Sequence, residues 1–489
     1  MTSTAPLPPP PIQSGDTERF DLVVIGSGPA GARGAEYVAS AGRRVAVVER
    51  AHALGGAGIN TGTLPSKTLR ETALYLSGAR TRGLYGVEQV LAGELNVESL
   101  LHRLHHVVAT ERGIVEDTFK RCGADLVHGY GRFVDAQTVE VELPHGSRRL
   151  TAPVFLVAPG SRPYLPSNVP FDAERVFTSD TILSIPFVPQ TLAVVGAGVI
   201  GCEYASIFAT LGVKTTLVDA RGELLPHLDH EIGERLRAAF ADRLEMELRM
   251  GHDVGTIERA GDRVIVPLKD SPAVEADAVL FAGGRQGNTD GLGLEALGIG
   301  VTPRGQIQVN DRYQTAVPHI YAAGDVVGFP ALAATSMEQA RIAMDDAFEL
   351  EFELGATTEL PYGIYTVPEI GMVGDTEQSL RKKGVEYEVG RASYASNARG
   401  QIVGDLEGMV KLLFDPETRT LLGAHVIGES ATELVHLAAA CMTLGGSLDY
   451  FVRAVFNYPT LADSFKDAAY DGLHRLSQRR FWGAATLPN

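Results

Sequence analysis

Two short glycine clusters, each followed by a carboxylate, carry the clearest chemistry in the 489-residue chain. Gly26, Gly28 and Gly31 stand in G-x-G-x-x-G order between the apolar run FDLVVIG and a helical stretch, and Glu49 closes the next apolar run, RVAVVER. Gly196, Gly198 and Gly201 repeat the arrangement in TLAVVGAGVIGCEYASIFATLGVKTTLVDAR, with Asp219 closing its second strand. Such glycines permit a tight turn and the close approach of a pyrophosphate, whose charge meets the helix N-terminus. The acid stands at about the offset expected for binding a ribose hydroxyl. Each unit builds one phosphate-binding helix terminus, so two units imply two dinucleotides. That suits an enzyme passing a hydride from a nicotinamide to a flavin.

The elements that must position these residues follow the same pattern. Strand, glycine turn, helix and strand make one dinucleotide-binding unit, and its recurrence predicts two Rossmann-like domains. Two further apolar strands run into glycines, VFLVAPGSRP with Gly160 and AVLFAGGRQGN with Gly284, Arg285 and Asn288. These glycines allow sharp turns between domains, and Arg285 is expected to face the nicotinamide nucleotide. From about Glu359 the pattern changes to alternating strands, YGIYTVPEIGMVG and GMVKLLFDPETRTLLGAHVIG, with turn residues at Asp415 to Thr418. Helical stretches ESATELVHLAAACMTLG and TLADSFKDAAYDGLHRLSQ follow, which predicts an α+β domain. The expected fold class is therefore α/β, with two Rossmann-like domains and a C-terminal α+β domain.

A chain of this length is expected to hold three or four domains. Its formal charge of −17 argues against a nucleic-acid surface, which needs clustered Lys and Arg. Cys122, Cys202 and Cys441 are far apart and odd in number, so they predict neither a disulfide framework nor a metal site. Each reads as a small buried hydrophobe. No apolar run reaches the ~20 residues of a membrane span. The start, MTSTAPLPPPPIQSGDTER, lacks the basic and apolar regions of a secretory leader, and its proline cluster reads as a disordered tail over residues 1–18. A cytoplasmic location is expected.

The stretch GGAGINTGTLPSK, from Gly55 to Lys67, and the segment TAVPHIYAAGDVVG, with Asp325, add a resemblance. From about residue 20 to about residue 475 the chain resembles the FAD-dependent pyridine nucleotide-disulfide oxidoreductase family. That family carries a C-x4-C pair before P-S-K; here Gly58 and Thr63 fill the two positions, while Pro65, Ser66 and Lys67 remain. Neither glycine nor a threonine hydroxyl can replace a thiolate. The resemblance implies FAD at the first site, held by Gly26, Gly28, Gly31, Glu49, Gly56, Thr63, Gly160 and Asp325. It implies NAD(H), and possibly NADP(H), at the second, held by Gly196, Gly198, Gly201, Asp219 and Gly284. It further implies a flavin-binding domain over 19–165 and 288–357, a nucleotide domain over 166–287, and a homodimer interface domain over 358–489.

The family's H-P-T, with a glutamate five residues after the histidine, becomes FNYPTLADSF, so Tyr458 and Asp463 stand at the acid–base positions. Tyrosine, with a reference pKa near ~10, does not readily shuttle a proton at neutral pH. His436 reads as an interface residue. The stretches GTLPSKTLRE, GAGVIGCEYASIF, GRQGNTD and FNYPTLAD are closest to the branch of the family whose members are transhydrogenases. This implies hydride exchange between NADH and NADP⁺, or the reverse, with nicotinamide nucleotides as partners. Lys67 is expected as the cation beside the flavin and Glu203 as its ion-pair partner. Asp219 favours a ribose hydroxyl over a 2′-phosphate, which Arg221 partly offsets. An NAD(P)H:acceptor reductase, with Gly58 opening space over the flavin, and a non-catalytic flavoprotein are the alternatives.

Overall fold

The computed structural model describes residues 17–78, 96–350 and 360–485, divided between two compact units. The first unit comprises Met1–Leu64, His106–Arg162 and Arg285–Gly355; the second comprises Pro65–His105, Pro163–Gly284 and Ala356–Asn489. Most of the expected disordered tail lies outside the described residues. Its last two residues do not belong to a tail: Thr17–Arg19 is a strand paired in parallel with Ser147–Thr151.

The first unit is built on a five-stranded parallel sheet, in the order Ile320–Ala322, Val154–Val157, Leu22–Ile25, Val45–Glu49 and Asp125–His128. These strands are apolar at every position except their ends because both faces are covered. Leu22, Val24, Val45, Val47 and Leu156 pack with Ala35 and Val38 of the helix Pro29–Ser40 and with Ala340 and Met344 of the helix Ala333–Phe348. Val23, Ile25, Ala46, Val48, Phe155 and Val157 face the other way, onto Phe133, Val139 and Val141 of a smaller sheet. The period of two along each strand divides its side chains between two cores.

The second unit repeats the parallel sheet in the order Val176–Phe177, Ala278–Phe281, Thr191–Val195, Lys214–Asp219 and Glu247–Met250. Ala193, Val195, Val218 and Val279 pack on Val264, Val266 and Val274 of a three-stranded antiparallel sheet. The C-terminal part is a five-stranded antiparallel sheet, Tyr362–Ile364, Ile370–Gly374, Leu421–Ile427, Met409–Phe414 and Glu388–Ser393 in spatial order. Val410, Leu412, Phe414 and Val426 bury one face against the helices Ala431–Thr443 and Asp463–Ala485, through Val435, Phe465 and Ala468.

Candidate active site

In the first unit the strand Leu22–Ile25 turns through Gly26 to Gly28, and the helix Pro29–Ser40 begins at once. The protein's own backbone dictates two of the three glycines. A Cβ on Gly26 would lie 2.2 Å from the Ala158 carbonyl oxygen, and one on Gly31 would lie 1.9 Å from that of Gly26. A Cβ on Gly28 would meet only the Gly56 Cα, at 3.8 Å. Packing within the protein therefore does not require Gly28 to be glycine.

Glu49, buried at the end of its strand, braces this turn. Its Oε2 accepts the Ser27 N–H at 2.9 Å and the Ser27 hydroxyl at 2.7 Å, and its Oε1 accepts the Ala51 N–H at 2.8 Å. Gly56 lies against the same turn: its Cβ would fall 2.8 Å from the Gly28 Cα. A Cβ on Gly58 would stand 2.8 Å from Cγ of Pro29, so Gly58 sits against the proline ring. Thr63 begins the helix Thr63–Leu76, which carries Lys67.

Gly160 adopts φ +68°, a left-handed conformation that suits glycine, and leads into Ser161. The Ser161 hydroxyl donates to Asp325 Oδ2 at 2.6 Å and accepts from Arg285 Nε at 2.7 Å; Arg285 Nη2 donates to the Ser161 carbonyl at 2.8 Å. Arg285, expected to face a nicotinamide nucleotide, is thus held within the first unit, 3.8 Å from Asp325. Ser161 and Ser27 organise the two acids and were not singled out from the sequence.

The second unit shows the same division of labour. A Cβ on Gly196 would lie 2.5 Å from the Ala282 carbonyl oxygen and one on Gly201 1.7 Å from that of Gly196, whereas one on Gly198 meets nothing within 4 Å. Gly284, at φ +110°, ends the strand Ala278–Phe281 and its loop. Asp219 is buried, and both its oxygens are engaged. Oδ2 accepts the Ala197 N–H at 2.6 Å and Arg221 Nη2 at 2.7 Å; Oδ1 accepts the Arg221 N–H at 2.7 Å and Nε at 2.9 Å. Burial would raise its pKa, but the Arg221 bonds and the Ala197 N–H outweigh it and hold the carboxyl below its usual value. The acid anticipated at a ribose is here also the brace of the glycine turn, with its charge offset by a half-exposed arginine.

Lys67 and Glu203, far apart in sequence, meet in this unit. The ammonium donates to Oε2 of Glu203 at 2.7 Å and to Oε1 at 2.9 Å, and it lies 3.2 Å from the Ser66 hydroxyl oxygen. Glu203 is buried and Lys67 keeps a quarter of its side chain exposed. A buried carboxylate fixing one ammonium in place yields a positive group of defined position.

The remaining candidate groups do other work. Burial first of all pushes the Cys202 thiol up, with Asp219 and Glu203 adding to the shift, so it is no nucleophile. Cys441 is also buried, Cys122 half-buried, and all three are free thiols. Asp229, Glu231 and Glu377 converge as a metal site's carboxylates would, but Lys411 Nζ occupies their centre, 2.7 Å from Asp229 and 3.0 Å from Glu231. Tyr458 is 78% exposed, and His436 is exposed on the helix Ala431–Thr443.

Two glycine-turn α/β folds and a C-terminal α+β domain define a class of proteins built to handle two dinucleotides. Residues 20–347 match the pyridine nucleotide-disulphide oxidoreductase family and residues 360–469 match that family's dimerisation domain, so the chain belongs to this family. It is 46% identical over 461 residues to a protein of Mycobacterium bovis named soluble pyridine nucleotide transhydrogenase, covering 94% of this chain and 98% of that one. A Pseudomonas putida protein of the same name is 43% identical over 464 residues, covering 94% and 99%. Among solved structures, LpdA from Mycobacterium tuberculosis superposes with a TM-score of 0.85 at 26% identity, over 93% of this chain and 99% of that one. The HOCl-induced flavoprotein disulfide reductase RclA from Escherichia coli gives 0.81 at 26% identity, over 92% and 99%. Among the described residues no helix is long and apolar enough to cross a membrane.

Proposed function

We propose that the protein is a flavoenzyme that exchanges hydride between NADH and NADP⁺, in either direction, through FAD and without a redox disulfide. The observation that carries this reading is the 46% identity along 94% of the chain to a relative named soluble pyridine nucleotide transhydrogenase. The presence of Gly58 and Thr63 where a thiol pair would stand supports the thiol-free route.

The residues present fit two dinucleotides. Gly28 and Gly198 have no neighbour that a Cβ would strike, each directly before a helix N-terminus, which is the geometry a pyrophosphate uses. In this reading Gly26, Gly28, Gly31, Glu49, Gly56, Thr63, Gly160 and Asp325 hold FAD, within a domain over 19–165 and 288–357. Gly196, Gly198, Gly201, Asp219 and Gly284 hold the nicotinamide nucleotide, within 166–287. Residues 358–489 form the contact of a cytoplasmic homodimer. Bound FAD supplies the centre that takes hydride from one nicotinamide and gives it to another.

The chain's own part is electrostatic and positional. Lys67 offers fixed positive charge where negative charge develops as hydride arrives. Glu203 keeps that ammonium in one place, which removes the need to reorganise it during the reaction. Arg285, through Ser161, keeps Asp325 oriented as an acceptor.

The test is anaerobic. NADH should bleach the flavin, and NADP⁺ added next should restore its colour. Restoration by a quinone but not by NADP⁺ would make the protein an NAD(P)H:acceptor reductase. A flavin that NADH does not bleach would make it a non-catalytic flavoprotein.

A further inference from the structure

We propose that Tyr365 is a positioning residue for the Lys67–Glu203 pair, a proposal that rests on reading Lys67 as the cation that serves the flavin. Three consecutive residues, Tyr365 to Val367, are tied by their backbone to the two helices that carry the pair. The Tyr365 N–H donates to Glu203 Oε1 at 2.9 Å, Arg70 Nε donates to the Thr366 carbonyl at 3.0 Å, and the Val367 N–H donates to the Ser206 hydroxyl at 3.1 Å. Arg70 lies three residues after Lys67 on the helix Thr63–Leu76, and Ser206 lies three after Glu203 on the helix Val199–Thr210. Residues three apart share a helix face. Each helix therefore presents one member of the pair and one anchor side by side, and the segment 365–367 bridges both.

The side chain of Tyr365 completes the arrangement. The Lys67 ammonium lies 4.8 Å from the centre of the Tyr365 ring. Its N–H groups reach the two Glu203 oxygens and the Ser66 hydroxyl, and the ring lies beside the same ammonium. An aromatic face within about 6 Å attracts a cation. The ring thus helps to hold the ammonium on Glu203, while the Tyr365 N–H donates to the same carboxylate. No spacing in the sequence announces this, because Tyr365 lies 162 residues from Glu203.

The test compares Tyr365→Leu with Tyr365→Phe in the FAD-loaded protein, using an amine-acylating reagent and peptide mass spectrometry. Removing the ring should raise acylation of Lys67 about 3- to 10-fold, the scale of one cation–π contact. Phenylalanine, which keeps the aromatic face, should restore the wild-type rate. Buried Lys411 should remain unlabelled in both variants; its labelling in Tyr365→Leu would mark general loosening and overturn the assignment. Equal Lys67 labelling in Tyr365→Leu and wild type would also overturn it. In stopped flow, Tyr365→Leu should slow flavin reduction by NADH with little change in nucleotide affinity; an affinity loss alone would overturn the positioning role. The underlying reading fails separately, if Lys67→Met leaves flavin reduction unchanged.

Discussion

Replacing Asp219 by asparagine should shift the enzyme from NADH toward NADPH, by an amount that the geometry bounds. The carboxylate accepts four hydrogen bonds, one from the Ala197 N–H in the glycine turn and three from Arg221. Asparagine keeps one acceptor oxygen, which can still take a backbone N–H, but loses the charge that draws the guanidinium back. The Arg221 side chain is 51% exposed, so its attachment to Asp219 is worth only about 1 kcal/mol. Released, it becomes available to a 2′-phosphate, and the like-charge repulsion from Asp219 disappears as well. Repulsion between unit charges a few ångströms apart at a partly wet site is on the order of 1–4 kcal/mol before salt screening. A gain of about 1–2 kcal/mol in NADPH selectivity follows, or roughly 5- to 30-fold in the ratio of kcat/KM values. Both nucleotides should be assayed at low and high salt, and the gain should shrink in high salt. Because Asp219 is held below its usual carboxylate value, it stays ionised from mildly acidic pH upward, so the wild-type preference should be flat across neutral pH. An unchanged NADH/NADPH ratio in Asp219→Asn would refute the argument that this carboxylate and its arginine set the preference.

Lys67→Met should slow flavin reduction by roughly 10²-fold while flavin binding persists, as expected for one charge removed from a developing anion; stopped-flow absorbance measures it. Gly198→Ala should fold normally and bind nicotinamide nucleotide poorly, whereas Gly201→Ala, with its Cβ 1.7 Å from a backbone oxygen, should lose thermal stability; melting and nucleotide titration separate the two. Lys411→Met leaves Asp229 buried without its ammonium and should lower stability by about 3–5 kcal/mol, seen as an earlier melt. Burial raises Glu231 and Glu377, but Lys411, together with Arg391 at Glu231 and Tyr387 at Glu377, outweighs it and holds both below their ordinary 4.5. Their contribution is therefore complete above about pH 4.5 and lost as pH falls through the lower folded values, so the variant's stability deficit should be full at neutral pH and should shrink as the pH is taken below about 4.5, measured by melting at a series of pH values.

What the sequence makes legible here is local or repeated. The glycine turns, their strands and their closing acids lie within about 25 residues of one another, and packing demands glycine at Gly26, Gly31, Gly196 and Gly201 for reasons of backbone contact alone. The alternation after residue 360 likewise marks strands with one face on a core. Lys67 and Glu203 could be paired in advance only through resemblance, since nothing in their spacing implies contact. Tyr365, Ser161 and Ser206 were not foreseen because their roles arise from distant segments meeting. The partners of Arg285 are equally non-local: its guanidinium reaches Ser161 and lies near Asp325. The contact of Gly58 with the Pro29 ring likewise has no signal in the sequence.

The three backbone ties at Tyr365 to Val367 bear on how this chain can be recombined with its relatives. A chimera joined between the nucleotide-binding part and the C-terminal sheet would exchange the donor that meets Glu203, the acceptor that meets Arg70 and the donor that meets Ser206. Main-chain donors and acceptors come with any sequence, so such a graft can keep all three ties wherever the incoming loop has the same path and no proline at 365 or 367. The ring over Lys67 does not transfer so freely. A crossover that brings in an aliphatic residue at 365 would preserve the fold and change the lysine's surroundings, which makes this junction a place to alter the chemistry without rebuilding the scaffold.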